Sequence, residues 1–217
     1  QIDTIDKMVE KVDSKEETLT EEQIKWQKHE FVTPKKEIVT EMDMGKLKMS
    51  AFYQKYLTFL VELQKAIEGK EIGATPLNPK FEKLVAWLDT LEVWISEIPP
   101  LQQKMRFGNT AYRTWHEKLQ QNVDKQLEDI LPEYLKGAVK ELRTYVLDSF
   151  GSYERIDYGT GHELAFMMFL YILKEIGFYQ KEDYESIVRN VFYRYIKLMR
   201  KLQLTYMLEP AGSHGVW

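Results

Sequence analysis

Arg155-Ile-Asp-Tyr-Gly-Thr-Gly-His-Glu163 runs without a break into Leu164-Ala-Phe-Met-Met-Phe-Leu-Tyr-Ile-Leu173. The first stretch sets two glycines among charged and polar residues. The second is apolar throughout, but it is only about half the roughly 20 residues that a membrane span needs, so it reads as a buried helix. Residues 162–176 are apolar nearly all round, which puts this helix at the centre of the expected fold. Gly159 and Gly161 at its start let backbone amides approach a ligand with no Cβ in the way.

Working outward, a helical period appears on both sides. Downstream, Ile187, Val191, Phe192, Tyr195, Ile196, Met199 and Leu202 recur at threes and fours, with Asp183 expected as cap and Pro210 as stop. That helix leads to Glu209-Pro-Ala-Gly-Ser-His-Gly-Val-Trp217, a second glycine-rich segment. Upstream, Pro132 opens a helix with Leu135, Val139, Leu142 and Val146 inward, and Gly151 lies past its end. Asn109 is placed to cap a helix that buries Tyr112, Trp115, Leu119, Val123 and Leu127. Asn78-Pro79 precedes an apolar face of Phe81, Leu84, Val85, Leu88, Leu91 and Ile95, which Pro99-Pro100 ends. From Leu47 another face carries Phe52, Tyr56, Phe59, Leu60, Leu63 and Ile67, stopped at Gly69. Thr20-Glu-Glu-Gln23 has capping-box spacing, and 31–43, with Pro34, reads as extended or irregular. No useful period-two segment and no long repeat is visible. The expected fold is all-α, with six or more helices.

Hydrophobic residues make up 44% of the 217, enough for a substantial core. Thirty basic against 34 acidic residues leave a net charge of −4, so no global basic bias argues for nucleic acid. With no cysteine, disulfides, thiolate zinc sites and cysteine nucleophiles are removed. The first 30 residues are too charged for a signal peptide. The expected setting is the cytoplasm, with no membrane or nucleic-acid partner; entry into the nucleus stays open.

The four histidines, His29, His116, His162 and His214, show no H-E-x-x-H spacing, and no Ser-His-Asp triad follows from their order. His162-Glu163 reads either as a catalytic group in a cleft or as a residue that caps or packs at a helix start. Gly159-Thr160-Gly161 opens a helix, where amides and the positive end of the dipole suit phosphate. Thr160 adds a hydroxyl and Arg155 a planar fork. The plainer alternative is a tight turn with Arg155 paired to Asp157 or Glu163. Ala211-Gly212-Ser213-His214-Gly215 is either an ordinary loop or a ligand loop, with Trp217 as an aromatic wall and a Gly215 carbonyl open to a hard cation. Arg106-Phe-Gly-Asn109 and the following Tyr112, Arg113 and Trp115 read mainly as structure, with Arg106 and Arg113 as partners for Asp157 or Glu163. Pro34-Lys-Lys-Glu37 reads as solvated surface.

Three segments, Arg106-Phe-Gly-Asn-Thr-Ala-Tyr-Arg-Thr-Trp115, Arg155 to Glu163 and Glu209 to Trp217, resemble the signature segments of the phosphotyrosyl phosphatase activators. Pro34-Lys-Lys-Glu-Ile38 and Asp43-Met-Gly-Lys46 also match this family, the activators of serine/threonine protein phosphatase 2A. The resemblance runs from about Phe31 to Trp217. It divides the chain into a charged N-terminal segment, 1–30, and a helical domain, 31–217. It implies an all-α arrangement of core, linker and lid. It implies a chaperone that binds the phosphatase catalytic subunit and helps convert it to its active, metal-loaded form, with ATP and Mg2+ at the shared interface. It also implies peptidyl-prolyl cis/trans isomerase activity on a proline-containing peptide.

By motif, the implied nucleotide contacts fall on Arg155, Thr160 and Gly161, and a magnesium contact on Gly215. Asp157, Gly159, His162, Glu163, Gly212, Ser213 and Trp217 are expected to shape the partner and peptide surface. No catalytic residue is assigned. The family continues past the position of Trp217 with a glycine, two aspartates and a long C-terminal part that adds magnesium and nucleotide contacts, so the domain is expected to be incomplete at that end. Two alternatives stand beside the activator: a general prolyl isomerase acting on short peptides without ATP, and a helical binding scaffold with no nucleotide.

Overall fold

The computed structural model describes residues 19–71, 76–102 and 107–212. In chain order its helices are α1 (Glu21–Gln27), α2 (Glu41–Lys48), α3 (Ala51–Ile67), α4 (Glu82–Glu97), α5 (Ala111–Ile130), α6 (Val139–Asp148) and α7 (Thr160–Glu175). A short α8 (Tyr184–Ser186) continues through a π-helical segment, Ile187–Phe192, into α9 (Tyr193–Tyr206). Tight 3₁₀ turns at Pro79–Phe81, Glu133–Ala138 and Lys181–Asp183 lead into α4, α6 and α8. The all-α expectation holds, with one addition: β1 (Asp157–Tyr158) and β2 (Glu209–Pro210) pair in parallel.

Local chemistry explains where these helices begin and end. Thr20 and Gln23 satisfy each other's backbone amides at α1. Asn78 accepts from the Lys80 amide, with Pro79 in the first turn. Thr40 and Asp43 form a second capping box, so α2 begins inside the stretch expected to be irregular. Asp183 does not cap its helix alone. It sits three residues into a box opened by Gln180, accepts from the Gln180 amide and pairs with Lys80. Nor does Pro210 stop α9. The helix ends at Met207, which turns left-handed with φ 51°, and the Leu208 amide reaches back to the Gln203 carbonyl.

The body of the molecule is a closed circuit. α7 lies on α6, α6 on α5, α5 on α4 and α4 on α9. Phe166 of α7 then stacks on Tyr195 of α9, with ring centroids 3.8 Å apart and an interplanar angle of 2°. All the positions of α5 expected to point inward, Tyr112, Trp115, Leu119, Val123 and Leu127, are fully buried. α7 is less enclosed than its composition suggests: Leu164 is exposed, and Met168 and Ile172 face a groove under the N-terminal segment. Phe52, expected inward, is exposed and lines the same groove. α1 rests on the 133–138 turn, and Phe31 packs where a side chain on Gly137 would crowd it. Among the described residues no helix is long and apolar enough to cross a membrane.

Candidate functional site

The loop between α6 and α7 is constrained through its backbone. Gly151 has φ 104°, and a Cβ there would lie 2.8 Å from both the Asp157 carbonyl and the Tyr112 hydroxyl, so only glycine fits. The Ser152 amide donates to the Asp157 carbonyl (3.0 Å) and the Ile156 amide to the Ser152 carbonyl (2.9 Å). This turn holds Ile156 at φ 52°, a costly conformation for a β-branched residue. The buried Ile156 side chain compensates by packing on Gly108, where a Cβ would come within 2.5 Å of its Cγ2.

Distant side chains clamp the loop by its carbonyls. Tyr195 donates to Ser149 (2.7 Å), Tyr112 to Phe150 (3.0 Å), and Arg113 to Tyr153 (3.1 Å) and Glu154 (2.9 Å). Arg113, expected to pair with Asp157 or Glu163, serves the backbone instead. Arg106 lies outside the described residues.

The two glycine-rich stretches meet here. The Glu209 amide donates to the Ile156 carbonyl (2.9 Å) and the Ala211 amide to Tyr158 (2.8 Å). The third segment joins them: the Asn109 amide donates to Tyr206 (2.6 Å), and its side chain ties Leu101 to the first turn of α5. Gly159 sits at a close approach, where a Cβ would lie 3.0 Å from the Ala211 Cβ and push that residue aside by a few tenths of an ångström. Gly161 differs: nothing lies within 4 Å of an added Cβ. Thr160 and Gly161 are exposed, and no side chain caps the first turn of α7. Gly212 takes φ 86° just beyond β2. Ser213, His214, Gly215 and Trp217 lie outside the described residues.

The charges sort into specific pairs. Arg155 donates from Nε to Asp157 Oδ2 (2.6 Å) and from Nη2 to Oδ1 (3.2 Å), so Asp157 is its partner and not Glu163. Asp157 is buried, while the arginine side chain is 65% exposed. Two of five guanidinium N–H groups face the carboxylate, which leaves the outer edge toward water. Glu163 Oε1 lies 3.4 Å from the Tyr158 hydroxyl. His162 is buried: Nδ1 donates to the Asp148 carbonyl (2.5 Å), the ring stacks on Tyr158, and Nε2 lies 3.8 Å from Asp157 Oδ1. It braces the end of α6 against the start of α7. Tyr158 and Tyr195 share a hydrogen bond of 3.0 Å, and burial pushes the Tyr158 hydroxyl well above its ordinary value of 10.0.

Beside Arg155 opens a cleft of 1220 Å³ between residues 33–36, α6 and the 151–155 loop. Lys136, Lys140 and Arg143 line it together with Lys35 and Lys36; Asp124, Glu128, Asp148 and Glu154 interleave with them. Pro34-Lys-Lys-Glu37, read from sequence as plain surface, supplies part of a cleft wall. Lys136, Lys140 and Arg143 recur at helical spacing, a signal the sequence carried. His116 also lines this cleft. Its Nε2 donates to the Leu147 carbonyl (3.3 Å), its Nδ1 is buried without a partner, and burial pulls its pKa below the ordinary 6.5. Among the described residues no group of three or more histidine or acidic side chains is arranged to hold a metal ion.

Comparison with known proteins adds an independent finding. The family model described as phosphotyrosyl phosphate activator (PTPA) protein matches residues 34–217. The chain is 42% identical over 190 residues to the probable serine/threonine-protein phosphatase 2A activator 1 of Dictyostelium discoideum, covering 87% of this chain and 58% of that one. It is 40% identical over 188 residues to the serine/threonine-protein phosphatase 2A activator 1 of Schizosaccharomyces pombe, again 87% of this chain and 58% of the other. The serine/threonine-protein phosphatase 2A activator of Drosophila melanogaster is 40% identical over 176 residues, with 81% and 44% covered. The crystal structure of the PP2A phosphatase activator Ypa1 PTPA1 matches with a TM-score of 0.77 at 35% identity, covering 85% of this chain and 60% of that one. The chain spans about half the length of the relatives it matches.

Proposed function

The chain belongs to the phosphotyrosyl phosphate activator family, and from that premise we propose that it acts in activating the catalytic subunit of serine/threonine protein phosphatase 2A, with ATP and Mg2+. One observation carries the nucleotide part. At the start of α7 an uncapped first turn, exposed at Thr160 and Gly161, adjoins an arginine held side-on by a buried carboxylate. A helix start favours anions through its free amides and dipole. Asp157 fixes the plane of the Arg155 guanidinium, and its outer edge remains for phosphate oxygens. The open space at Gly161 admits a bulky anion close to the backbone. These residues fit a polyphosphate. The nucleotide supplies the negative charge; Arg155, Thr160 and Gly161 bind and orient it. The magnesium contact is assigned by resemblance to Gly215, beyond the described residues.

The proposal has an enzymatic half. Prolyl isomerisation needs no acid or base, only a groove that binds the twisted bond better than either planar form and so lowers a barrier of about 18–20 kcal/mol. Trp217 is the proposed wall, and unchanged isomerase rates in Trp217→Ala would remove it. Action on short proline peptides without ATP would favour the general isomerase over the dedicated activator.

The deciding assay is activation of inactive phosphatase 2A catalytic subunit, with and without ATP and Mg2+. Removing a hydrogen bond to a charged group costs about 1.5–3 kcal/mol, so Arg155→Gln is expected to weaken the ATP dependence on the order of ten- to a hundredfold. ATP-independent activation, or an unaltered ATP dependence in the variant, would sink the nucleotide reading. A chain extended to the length of its relatives is run alongside; activity there alone would assign the function to the longer protein.

A further inference from the structure

A second cavity lies near the other end of α7, about 20 Å from its start by helix rise. It holds 410 Å³, within the range of small-ligand sites. Its walls are aromatic: Trp26 and Phe31 stack with centroids 6.1 Å apart on one side, Tyr171 and Phe52 meet edge to face at 5.9 Å on another, and Tyr145 adds a third.

Two polar groups of this wall lack partners. Glu141 is half-buried and makes no hydrogen bond or ion pair among the described residues; His29 stands on the rim and is exposed. Burial raises its carboxyl above the ordinary 4.5, as expected for a carboxylate short of a counter-charge. The indole nitrogen of Trp26 is buried with no acceptor. The wall's other acid, Glu175, is already engaged by Lys174. Lys55 is the opposing charge on the rim, and it is exposed.

From this combination we infer that the cavity under the N-terminal segment docks an arginine side chain from an extended segment of a partner protein. An organic cation is attracted to aromatic faces and to a desolvated carboxylate at once. Guanidinium suits the cavity better than ammonium, because it is planar, weakly hydrated and able to stack while forking onto a carboxylate. The unpaired indole N–H calls for an acceptor beside that cation, and a peptide carbonyl next to the arginine provides one. Charge complementarity therefore selects a basic peptide over an apolar one. The site is independent of the α7 start and of the nucleotide reading.

Calorimetric titration of the full chain with acetyl-Gly-Arg-Gly-amide tests this. The control peptide carries citrulline, which keeps the shape and removes the charge. Arginine is expected to bind at least about tenfold more tightly than citrulline, and Glu141→Gln to remove about the same factor. Lys55→Ala, which takes a competing cation from the rim, should tighten binding about two- to threefold. Trp26→Phe, which keeps the wall and deletes the N–H, should weaken it about fivefold. Equal binding of citrulline, or no effect of Glu141→Gln in a protein with unchanged melting temperature, would overturn the inference. Equal affinity for free arginine would overturn the peptide as its source.

Discussion

α5 and the loop that enters α7 are built by opposite means. α5 is held by its side chains: Tyr112, Trp115, Leu119, Val123 and Leu127 fill the circuit of helices without exposed surface. The loop is held by its main chain. The carbonyls of Asp148, Ser149, Phe150, Tyr153 and Glu154 accept from His162, Tyr195, Tyr112 and Arg113, contributed by α7, α9 and α5. Burial is non-directional and sets stability. Directed hydrogen bonds on strained backbone set position, and strain persists only where the surroundings over-determine it. The second kind of construction lies beside Arg155, Thr160 and Gly161, the residues proposed above to hold a polyphosphate.

The largest effect expected from this contrast is in α5. Trp115→Ala removes a buried ring, together with its indole bond to the Leu91 carbonyl (3.1 Å). It should cost about 3–5 kcal/mol in urea denaturation, as aromatic-to-alanine changes in cores do. A loss below about 1 kcal/mol would break the comparison, since α5 would then not anchor the circuit.

Gly151→Ala should cost less stability and more function. The backbone stands at φ 104°, and the new methyl would press on the Asp157 carbonyl. Conformational strain of this kind costs about 1–3 kcal/mol, and relief requires moving the segment that carries Arg155 and Asp157. On the proposed function, ATP-dependent activation should therefore fall further in Gly151→Ala than in a core variant of equal stability. Loss of activity in step with stability alone would show that the loop has no separate positioning role.

This contrast also explains what was legible in the sequence. Burial leaves a period in the residue types, and the inward faces of α4, α5 and α9 were read from it. Carbonyls carry no residue identity, so neither the clamp by Arg113 nor those by Tyr112 and Tyr195 left a pattern. β1 and β2 are two residues each, too short for any alternation, and Gly159 is explained only once Ala211 lies against it. Ile156 goes against propensity outright, since a β-branched residue is the wrong choice for positive φ. Arg155–Asp157 was legible as one of two options because the partners sit two residues apart on one turn. α2 lacks the usual opening signature, because its box is closed by Asp43 where that signature has Glu or Gln. The basic wall of Lys136, Lys140 and Arg143 was written in helical period, but its meaning depends on residues 33–36 folding opposite.

His116 is where the two constructions touch, and it yields the smallest effect. Its ring packs beside Tyr112 within α5's face, while Nε2 holds the Leu147 carbonyl at the end of α6. A carbonyl only accepts, so Nε2 carries the proton and Nδ1 is left bare in a buried position. Burial disfavours the imidazolium and lowers the folded-state pKa below the ordinary 6.5, with the Leu147 bond opposing that shift. The unfolded chain then binds a proton before the folded one does. The stability that neutral His116 contributes is present above about pH 6.5 and is lost as the pH falls through the folded value. His116→Gln keeps a donor for Leu147 and cannot titrate. Other carboxylates change charge over the same range, so the quantity to read is the difference between the two proteins. Between pH 7 and pH 5 the urea midpoint of the unsubstituted chain should fall more than that of His116→Gln. Parallel slopes would mean that Nδ1 is reached by water, and that the hydrogen-bonded loop, rather than the packed face of α5, governs the environment of this histidine.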